Sequence, residues 1–200
     1  MMKRIVLCAV SALLFCFSAS AQFGIVAGLN STQTDIKSAV SDYRNINVYH
    51  AGVTYKFGIG SHFALQPSLI YNVKGSSVEY GLQTMEWKTG YLELPVQVQA
   101  GISLLKLLRV YGIAEPFVGY ALTNTEKSQG GEAKSTWDNI VNRIEYGFGL
   151  GAGAEILGHL QVSVRYFWNL GDVYGFSWED VKSAPSGKCS GISASLAFLF

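Results

Sequence analysis

The sequence is short of cysteine, proline and excess charge, and each shortage removes a class of function. Three cysteines and four prolines occur among 200 residues, and 15 lysine or arginine residues balance 14 aspartate or glutamate residues. The charges form no basic run, so nucleic acid is not an expected partner. Cys8 and Cys16 lie near the N-terminus, which leaves Cys189 alone in the rest of the chain. We therefore expect no intramolecular disulfide and no cysteine metal site, and interpret Cys189 as an incidental loop thiol.

Long apolar runs are also lacking. No run of 18 apolar residues follows the N-terminal segment, so no transmembrane helix is predicted. The N-terminal run Ile5–Phe17 has about 13 residues, whereas a spanning helix needs roughly 20. Two basic residues precede it and the small residues 19–21 follow it, as in a cleaved signal peptide. We predict that residues 1–21 are such a signal peptide and that residues 22–200 form one exported domain. An uncleaved anchor and a lipoprotein fit this pattern less well.

Glycine and aromatic residues are abundant, and they follow a period of two. The chain has 22 glycines, 11 tyrosines and 11 phenylalanines, which suits many strands. The clearest stretch is Ile144–Trp168, where apolar residues alternate with glycine and polar or charged residues on both sides of Leu157–His159. This pattern predicts two long antiparallel strands joined by a tight turn.

Alternation elsewhere predicts six further strands, which makes eight. Their predicted bounds are Phe23–Asn30, Asn47–Phe57, His62–Val73, Gly90–Ala100, Arg109–Leu122 and Ile192–Phe200. Long polar loops alternate with short turns. The predicted loops are Ser31–Arg44, Lys74–Thr89, Thr123–Asn142 and Asn169–Ser190. The other short turns are Gly58–Ser61 and the apolar Gly101–Leu108, which could form one helical turn.

The charged residues of these strands share one face, and this decides the environment. The inward face carries Lys56, Glu93, Arg109, Glu115, Glu145, Glu155 and Arg165, while the outward face carries no charge. A soluble sandwich or a lipocalin-like carrier would place the apolar face inside and the charges in water. The pattern therefore predicts an all-β fold, an eight-stranded antiparallel transmembrane up-and-down β-barrel. A soluble lipocalin-like carrier is the alternative that this charge placement disfavours.

Outward aromatic residues sort by strand end. Next to the long loops are Tyr49, Tyr71, Tyr120, Tyr146, Tyr166 and Trp168. Near the short turns are Phe23, Phe57, Phe63, Phe198 and Phe200. Because such rings prefer the headgroup level, they predict two aromatic girdles in contact with outer-membrane lipids.

Several segments resemble the PorT-type outer-membrane β-barrel proteins of Bacteroidetes. They are FGIVAGLN, HFALQPSLIYNVKG, YLELPVQVQAG, YGIAEPFVGY, EYGFGLGAGAEI, LQVSVRYFWNLGDV and the terminal aromatic strand. The resemblance covers nearly all of residues 22–200. It implies an eight-stranded barrel in the outer membrane of a Gram-negative bacterium, assembled by the barrel assembly machinery, which typically reads a C-terminal aromatic such as Phe200. The name-giving member is associated with protein secretion to the cell surface. Pro67, Pro95 and Pro116 fall within the resemblance, and each removes a ladder donor from a predicted strand, where bulges could accommodate it.

The inward charges are the main candidate site. An eight-stranded barrel is only wide enough to be filled by side chains, so buried acids and bases must pair. We interpret the seven inward charges as an interior polar network, with a conducting pore as the alternative. The alternating glycines from Gly147 to Gly153 lack the G-x-G-x-x-G spacing of a nucleotide loop. They instead make room for long side chains such as Arg109, Tyr111 and Arg165. No cofactor is expected.

A non-enzymatic function follows from the scarcity of catalytic groups. Among the histidines only His50 faces inward near the long loops, with no hydroxyl and carboxylate recognisably beside it. We expect a structural or interaction module of the cell envelope, with a link to secretion or surface assembly; an outer-membrane lipid hydrolase or protease is the alternative. The loops mix Trp87, Trp137 and Trp178 with acidic residues. That mixture suits a protein or glycan partner, and solvated loops fit it equally well.

Overall fold

A computed structural model describes residues 21–34, 42–44, 46–80, 83–105, 107–128, 143–170 and 189–200. Nine strands run through these residues. They are β1 (Ala21–Thr34), β2 (Asp42–Arg44), β3 (Ile46–Ile59), β4 (Phe63–Tyr80), β5 (Gln83–Leu105), β6 (Leu108–Ser128), β7 (Ile144–Ile156), β8 (Leu160–Asn169) and β9 (Cys189–Leu199). In this part of the chain, no helix is both long and apolar enough to cross a membrane.

Eight of these strands close into a barrel. The hydrogen-bonded order is β4-β3-β1-β9-β8-β7-β6-β5, and β5 pairs back onto β4. Every pairing is antiparallel. The short β2 lies outside this ring, where it pairs with residues 77–79 of β4. The predicted fold, an eight-stranded antiparallel up-and-down β-barrel, is confirmed.

The two ends of the barrel differ in their connections. One end carries the turns 60–62 and 157–159 and the short link from β5 to β6, and we call it the short-turn end. The opposite end, the long-connection end, carries the links from β1 to β3, from β6 to β7 and from β8 to β9. Gln22 Nε2 donates to the Gly158 carbonyl oxygen over 3.0 Å, so β1 begins beside the β7–β8 turn.

Backbone conformation explains the tight β7–β8 turn. Leu157 and Gly158 have φ angles of 56° and 72°, and the His159 amide donates to the Ile156 carbonyl oxygen over 3.1 Å. Two central residues with positive φ define the type I′ turn, which matches the twist of a two-stranded hairpin. Glycine adopts positive φ without strain, whereas Leu157 bears a steric cost there.

The barrel is polar inside and apolar outside. On β8 the outward Val164 is 53% exposed, while its neighbour Arg165 is 5% exposed and faces the interior. On β7 the outward Leu150 is 48% exposed, whereas Glu145 is fully buried inside. Strands that present apolar residues outward and polar residues inward suit a barrel whose outer face contacts membrane lipid. A lipocalin-like carrier needs the reverse arrangement, so that alternative is wrong.

Four loop predictions are wrong in part, because strand pairing continues past the predicted ends. Residues 74–80 belong to β4 and residues 83–89 to β5, which pair from Val73–Gly90 to Tyr80–Gln83. Residues 31–34, 42–44, 123–128, 169 and 189–190 are also strand. Cys189 therefore lies on β9 rather than in a loop. Backbone pairing does not require alternating apolar residues once a strand has left the lipid, so the sequence pattern ends before the strand does.

Two details of the strands also differ from prediction. Residues 101–105 continue β5 instead of forming a helical turn. Around Pro67, Pro95 and Pro116 the register is the same on both sides of the proline, so no bulge occurs there. Ladder pairs are instead interrupted next to each ring, as expected where the N–H is missing. The register shifts between β5 and β6 lie at residues 90–91 and 103–105.

Candidate functional site: the polar interior of the barrel

A buried lysine binds two carboxylates towards the long-connection end. Lys74 Nζ lies 2.7 Å from Glu93 Oε2 and 2.9 Å from Glu145 Oε1. Asn72 Nδ2 donates to Glu93 over 3.0 Å, and Asn169 Nδ2 donates to Glu145 over 2.7 Å. All five side chains are buried. We call this group the Lys74 cluster; its charge-assisted hydrogen bonds offset much of the cost of removing the charges from water.

Aromatic rings enclose the same ammonium group. Lys74 Nζ lies 4.1 Å from the ring centroid of Phe117, 5.1 Å from that of Phe167 and 5.7 Å from that of Tyr91. Ring faces attract a cation at these distances. Phe117 and Phe167 contact each other edge to face, with centroids 6.4 Å apart. The Lys74 ammonium group therefore has carboxylates and aromatic rings as its neighbours in the interior.

A second group, the Arg165 cluster, lies near the middle of β8. Arg165 Nη1 forms an ion pair with Glu115 Oε2. Its Nη2 donates to Ser195 Oγ over 2.8 Å and to Ser193 Oγ over 3.2 Å. Arg165, Glu115, Ser193 and Ser195 are all buried. One guanidinium thereby ties β8 to β6 on one side and to β9 on the other.

His50 lies between an amide and a hydroxyl. Its Nδ1 is 3.0 Å from Asn30 Oδ1, and its Nε2 is 2.9 Å from Ser195 Oγ. Asn30 Nδ2 donates to Asn72 Oδ1 over 2.7 Å, so Asn30 Oδ1 is left to accept from the histidine. His50 Nδ1 then carries the proton and Nε2 accepts from Ser195. Ser195, His50 and Asn30 thus have the hydrogen-bond order of a serine–histidine–asparagine relay.

A third group, the Glu155 cluster, lies towards the short-turn end. Lys56 Nζ is 2.6 Å from Glu155 Oε2, which also accepts from Gln161 Nε2 over 2.7 Å. Arg109 Nη1 lies 3.9 Å from Glu155 Oε2 and donates to Gln99 Oε1 over 3.0 Å. This end therefore has two cations around one carboxylate, whereas the Lys74 cluster has two carboxylates around one cation.

One hydrogen-bonded network connects the Lys74 and Arg165 clusters through all eight barrel strands. It runs in order through Glu145, Lys74, Glu93, Asn72, Asn30, His50, Ser195, Arg165 and Glu115. These residues come from β7, β4, β5, β1, β3, β9, β8 and β6. The network therefore joins strands that are far apart around the barrel wall as well as direct neighbours.

Glycines on β7 give the large interior side chains their space. A Cβ at Gly151 would lie 2.2 Å from the Val164 carbonyl oxygen and 2.7 Å from Arg165 Cγ, and one at Gly153 would lie 2.7 Å from Tyr111 Cζ. A Cβ at Gly147 would meet the Phe117 ring. A larger residue at any of these positions would displace a side chain from the interior.

The described part of the interior contains a small cavity. A cavity of about 10 Å³ lies between the Lys74 and Arg165 clusters. Its wall includes Asn30, His50, Ile70, Glu93, Glu115, Arg165 and Ser193. This volume is that of roughly one water molecule. Among the described residues, no group of three or more histidine, cysteine or acidic residues could hold a metal ion.

The seven charges predicted to face inward lie in the three clusters. The residue that the sequence reasoning missed is Lys74, because it was assigned to a loop. Its position carried a signal: it continues the inward series Gln66, Ser68, Ile70 and Asn72 with the same period of two. Asn30 and Ser195, which hold His50, were placed on the correct strands but given no role.

The predicted girdle residues lie on the outer surface. Tyr49, Tyr120, Tyr146, Trp168, Phe63, Phe198 and Phe200 are exposed, and Tyr71, Tyr166 and Phe57 are half-buried. Rings also contact each other: Tyr166 and Trp168 have centroids 4.7 Å apart, and Phe198 and Phe200 are 5.3 Å apart. Of the loop tryptophans, Trp87 lies on β5, while Trp137 and Trp178 lie outside the described residues.

Comparisons with known proteins agree with this architecture. Residues 17–175 match the family model described as outer membrane protein beta-barrel domain. No curated protein matches the sequence significantly.

Three solved structures show similarity of fold alone. The attachment invasion locus protein Ail of Yersinia pestis, crystallised with the heparin analogue sucrose octasulfate, is 13% identical with a TM-score of 0.43, over 90% of this chain and 99% of that one. Neisserial surface protein A is 11% identical with a TM-score of 0.47, over 90% and 99%. The N-terminal barrel domain of Pseudomonas aeruginosa OprF is 10% identical with a TM-score of 0.38, over 89% and 97%. Because its family model covers most of the chain, this protein belongs to the outer membrane protein β-barrel domain family and is an outer-membrane β-barrel protein.

Proposed function

We propose that this protein is a non-enzymatic structural or interaction module of the cell envelope, whose partner binds outside the barrel wall. The observation that supports this most is the closed interior. Ion pairs and hydrogen bonds from all eight strands fill the interior, and the cavity between two of the clusters measures about 10 Å³. Interior side chains that pair across the barrel in this way give it rigidity and disfavour the passage of a solute.

The proposal includes the location and lineage that the sequence suggests. Residues 1–21 are removed on export, and residues 22–200 enter the outer membrane of a Gram-negative bacterium through the barrel assembly machinery. The resemblance to the PorT-type proteins of Bacteroidetes favours a role in secretion or surface assembly. The long-connection end then faces the outside, where a protein or a glycan is the expected partner.

A permeability assay tests the closed interior. The purified protein, reconstituted into liposomes, should leave the entry rates of small sugars and of ions at those of protein-free liposomes. A general porin in matched liposomes supplies the positive control. Solute entry well above the protein-free rate would contradict the proposal and favour a conducting pore.

The relay of Ser195, His50 and Asn30 raises a second candidate function, that of an outer-membrane hydrolase. Its geometry is that of a nucleophile, a base and an orienting amide. His50 and Asn30 are each 2% exposed and Ser195 is 7% exposed, so an ester or peptide bond cannot reach the hydroxyl. We propose that the relay fixes the interior rather than catalyses hydrolysis.

Hydrolysis of phospholipid or peptide substrates separates the two readings of this relay. The wild-type protein should release no more fatty acid or cleaved peptide than the Ser195→Ala variant does. A wild-type activity that disappears in both Ser195→Ala and His50→Ala, with the barrels still folded, would establish the hydrolase instead.

Site-specific photo-crosslinking in cells of the native organism tests the interaction module. A photoreactive residue at Leu122, which is 42% exposed at the long-connection end of β6, should form a crosslink to one defined protein or glycan. The matched position is Val162, 46% exposed on the outward face of β8, where only lipid should be captured. Capture of lipid alone at both positions would count against a partner at that end.

A further inference from the structure

We propose that one water molecule is a fixed component of the barrel interior, bound in the cavity between the Lys74 and Arg165 clusters and accepting a hydrogen bond from Arg165 Nε. Three observations carry this inference: an unused donor, the size of the cavity and the mixed charge of its wall. The water gives the Arg165 guanidinium a further contact. It also lies where the two clusters face each other.

The unused donor is Arg165 Nε. The guanidinium Nη1 and Nη2 atoms have Glu115, Ser193 and Ser195 as partners. Nε is buried and has no hydrogen-bond partner among the described residues. A buried donor without a partner keeps its full desolvation cost, so buried N–H groups almost always contact protein or ordered water.

The size of the cavity selects a very small ligand. Its volume is about 10 Å³, and Arg165 forms part of its wall. A cavity needs roughly 10–15 Å³ to hold one water molecule. Phosphate, carboxylates and organic solutes are far larger than this, so they are excluded.

The wall of the cavity selects a neutral ligand with both donor and acceptor capacity. Lys74 and Arg165 bring positive charge to the wall, and Glu93 and Glu115 bring negative charge. An anion would face two carboxylates and a cation would face two cationic side chains. Water avoids both costs, because its oxygen can accept from Arg165 Nε while its hydrogens point to acceptors.

Acceptors for those hydrogens are present in the same wall. Each carboxylate has about four lone-pair sites. Glu115 Oε2 is used by Arg165 Nη1, and Glu93 Oε2 is used by Lys74 and Asn72. Capacity therefore remains on Glu115 and Glu93, which gives the water the two to four polar contacts that buried waters make.

Nuclear magnetic resonance of the full mature protein in detergent micelles tests the water site. The Arg165 Nε–H signal, assigned by its loss in Arg165→Lys, should show both a laboratory-frame and a rotating-frame Overhauser cross-peak to water. The signs should be those of a long-lived bound molecule. A cross-peak with the sign of chemical exchange, or no cross-peak, would overturn the proposal.

Filling the cavity provides the matched variant. Ser193→Thr keeps the hydroxyl that Arg165 contacts and adds one methyl group beside the cavity, which should expel the water and abolish the cross-peak. Faster migration of the unheated variant in a denaturing gel shows that the barrel is intact. If an intact Ser193→Thr barrel keeps the cross-peak at full intensity, the water is not in this cavity. If the Ser193→Thr barrel does not form, Ile70→Phe fills the same cavity from another side of its wall. The cross-peak to water should again disappear, and a cross-peak at full intensity would contradict the proposal.

Discussion

At the scale of single residues, the side chains that contribute most to stability are those that carry a buried charge. Lys74 Nζ lies within 2.9 Å of a carboxylate oxygen of both Glu93 and Glu145, and each of the three residues is at most 3% exposed. Exposed residues on the lipid face are interchangeable apolar groups by comparison. Removing one member of the buried group leaves the others without their counter-charge, and this is where single substitutions should cost most.

Lys74→Met should lower the free energy of unfolding by about 3–5 kcal/mol, because two buried carboxylates would then face each other without a cation. Reversible urea unfolding in phospholipid bilayers measures this change. The matched control is the triple variant Lys74→Met, Glu93→Gln, Glu145→Gln, which should recover most of the lost stability. A single variant within 1 kcal/mol of wild type would show that the ion pairs do not stabilise the barrel.

Two glycine-to-alanine substitutions distinguish the stability effect of lost interior space from that of a changed backbone preference. Gly153→Ala should destabilise by about 1–3 kcal/mol, because its Cβ would lie 2.7 Å from Tyr111 Cζ in the interior. Gly112→Ala on the outer face should be neutral or stabilising by up to about 1 kcal/mol, since its Cβ would meet only the Ala100 carbonyl oxygen at 3.9 Å. The same unfolding measurement compares them; equal losses for both would assign the effect to strand propensity rather than to interior packing.

At the scale of the strand, contact with lipid explains which strand bounds could be predicted, because it imposes alternating apolar residues only on the part of a strand inside the membrane. The hairpin of β7 and β8 was predicted to within one residue because strict alternation marks both strands. The outer part of the β4–β5 hairpin, by contrast, was predicted as a loop. Lys74 continues the period of two of β4, but residues 74–80 and 83–89 are mostly polar, so the alternation of apolar and polar residues is weak there and the backbone pairing reveals them as strand.

Val164→Arg places a charge on the lipid face near the middle of β8 and should destabilise by about 2–4 kcal/mol. Leu122→Arg, near the long-connection end, should cost only about 0–1 kcal/mol, because the penalty falls towards the interface. Folding free energies in bilayers measure both variants. If the two substitutions lower the folding free energy by the same amount, Val164 does not lie near the middle of the bilayer as the alternation of β8 indicates.

At the scale of the whole molecule, closure depends on contacts that the sequence could not predict. The seven inward charges were identified from alternation, yet their pairing depends on the stagger of strands around the barrel. Lys74 and Glu145 are separated by 71 residues in sequence, and His50 and Ser195 by 145. No local pattern encodes such pairs, which is why Asn30 and Ser195, although placed on the correct strands, received no role.

The closed barrel should resist sodium dodecyl sulfate at room temperature. An unheated sample should migrate faster in a gel than a boiled one, because the compact barrel binds less detergent than the unfolded chain. The comparison needs only the purified mature protein and the same sample after boiling. Identical mobility before and after boiling, from a membrane fraction, would contradict a stable closed barrel.

The network that joins all eight strands also constrains the order of assembly. Asn30 comes from the first strand of the barrel and Ser195 from the last, and His50 links them. Until β9 docks on β1, His50 lacks its Ser195 partner and the connection between the Lys74 and Arg165 clusters is not made. A chain whose last strand has not yet docked lacks these interior contacts and should be less stable than the closed barrel. Docking of β9 on β1 is therefore the step that completes the interior network.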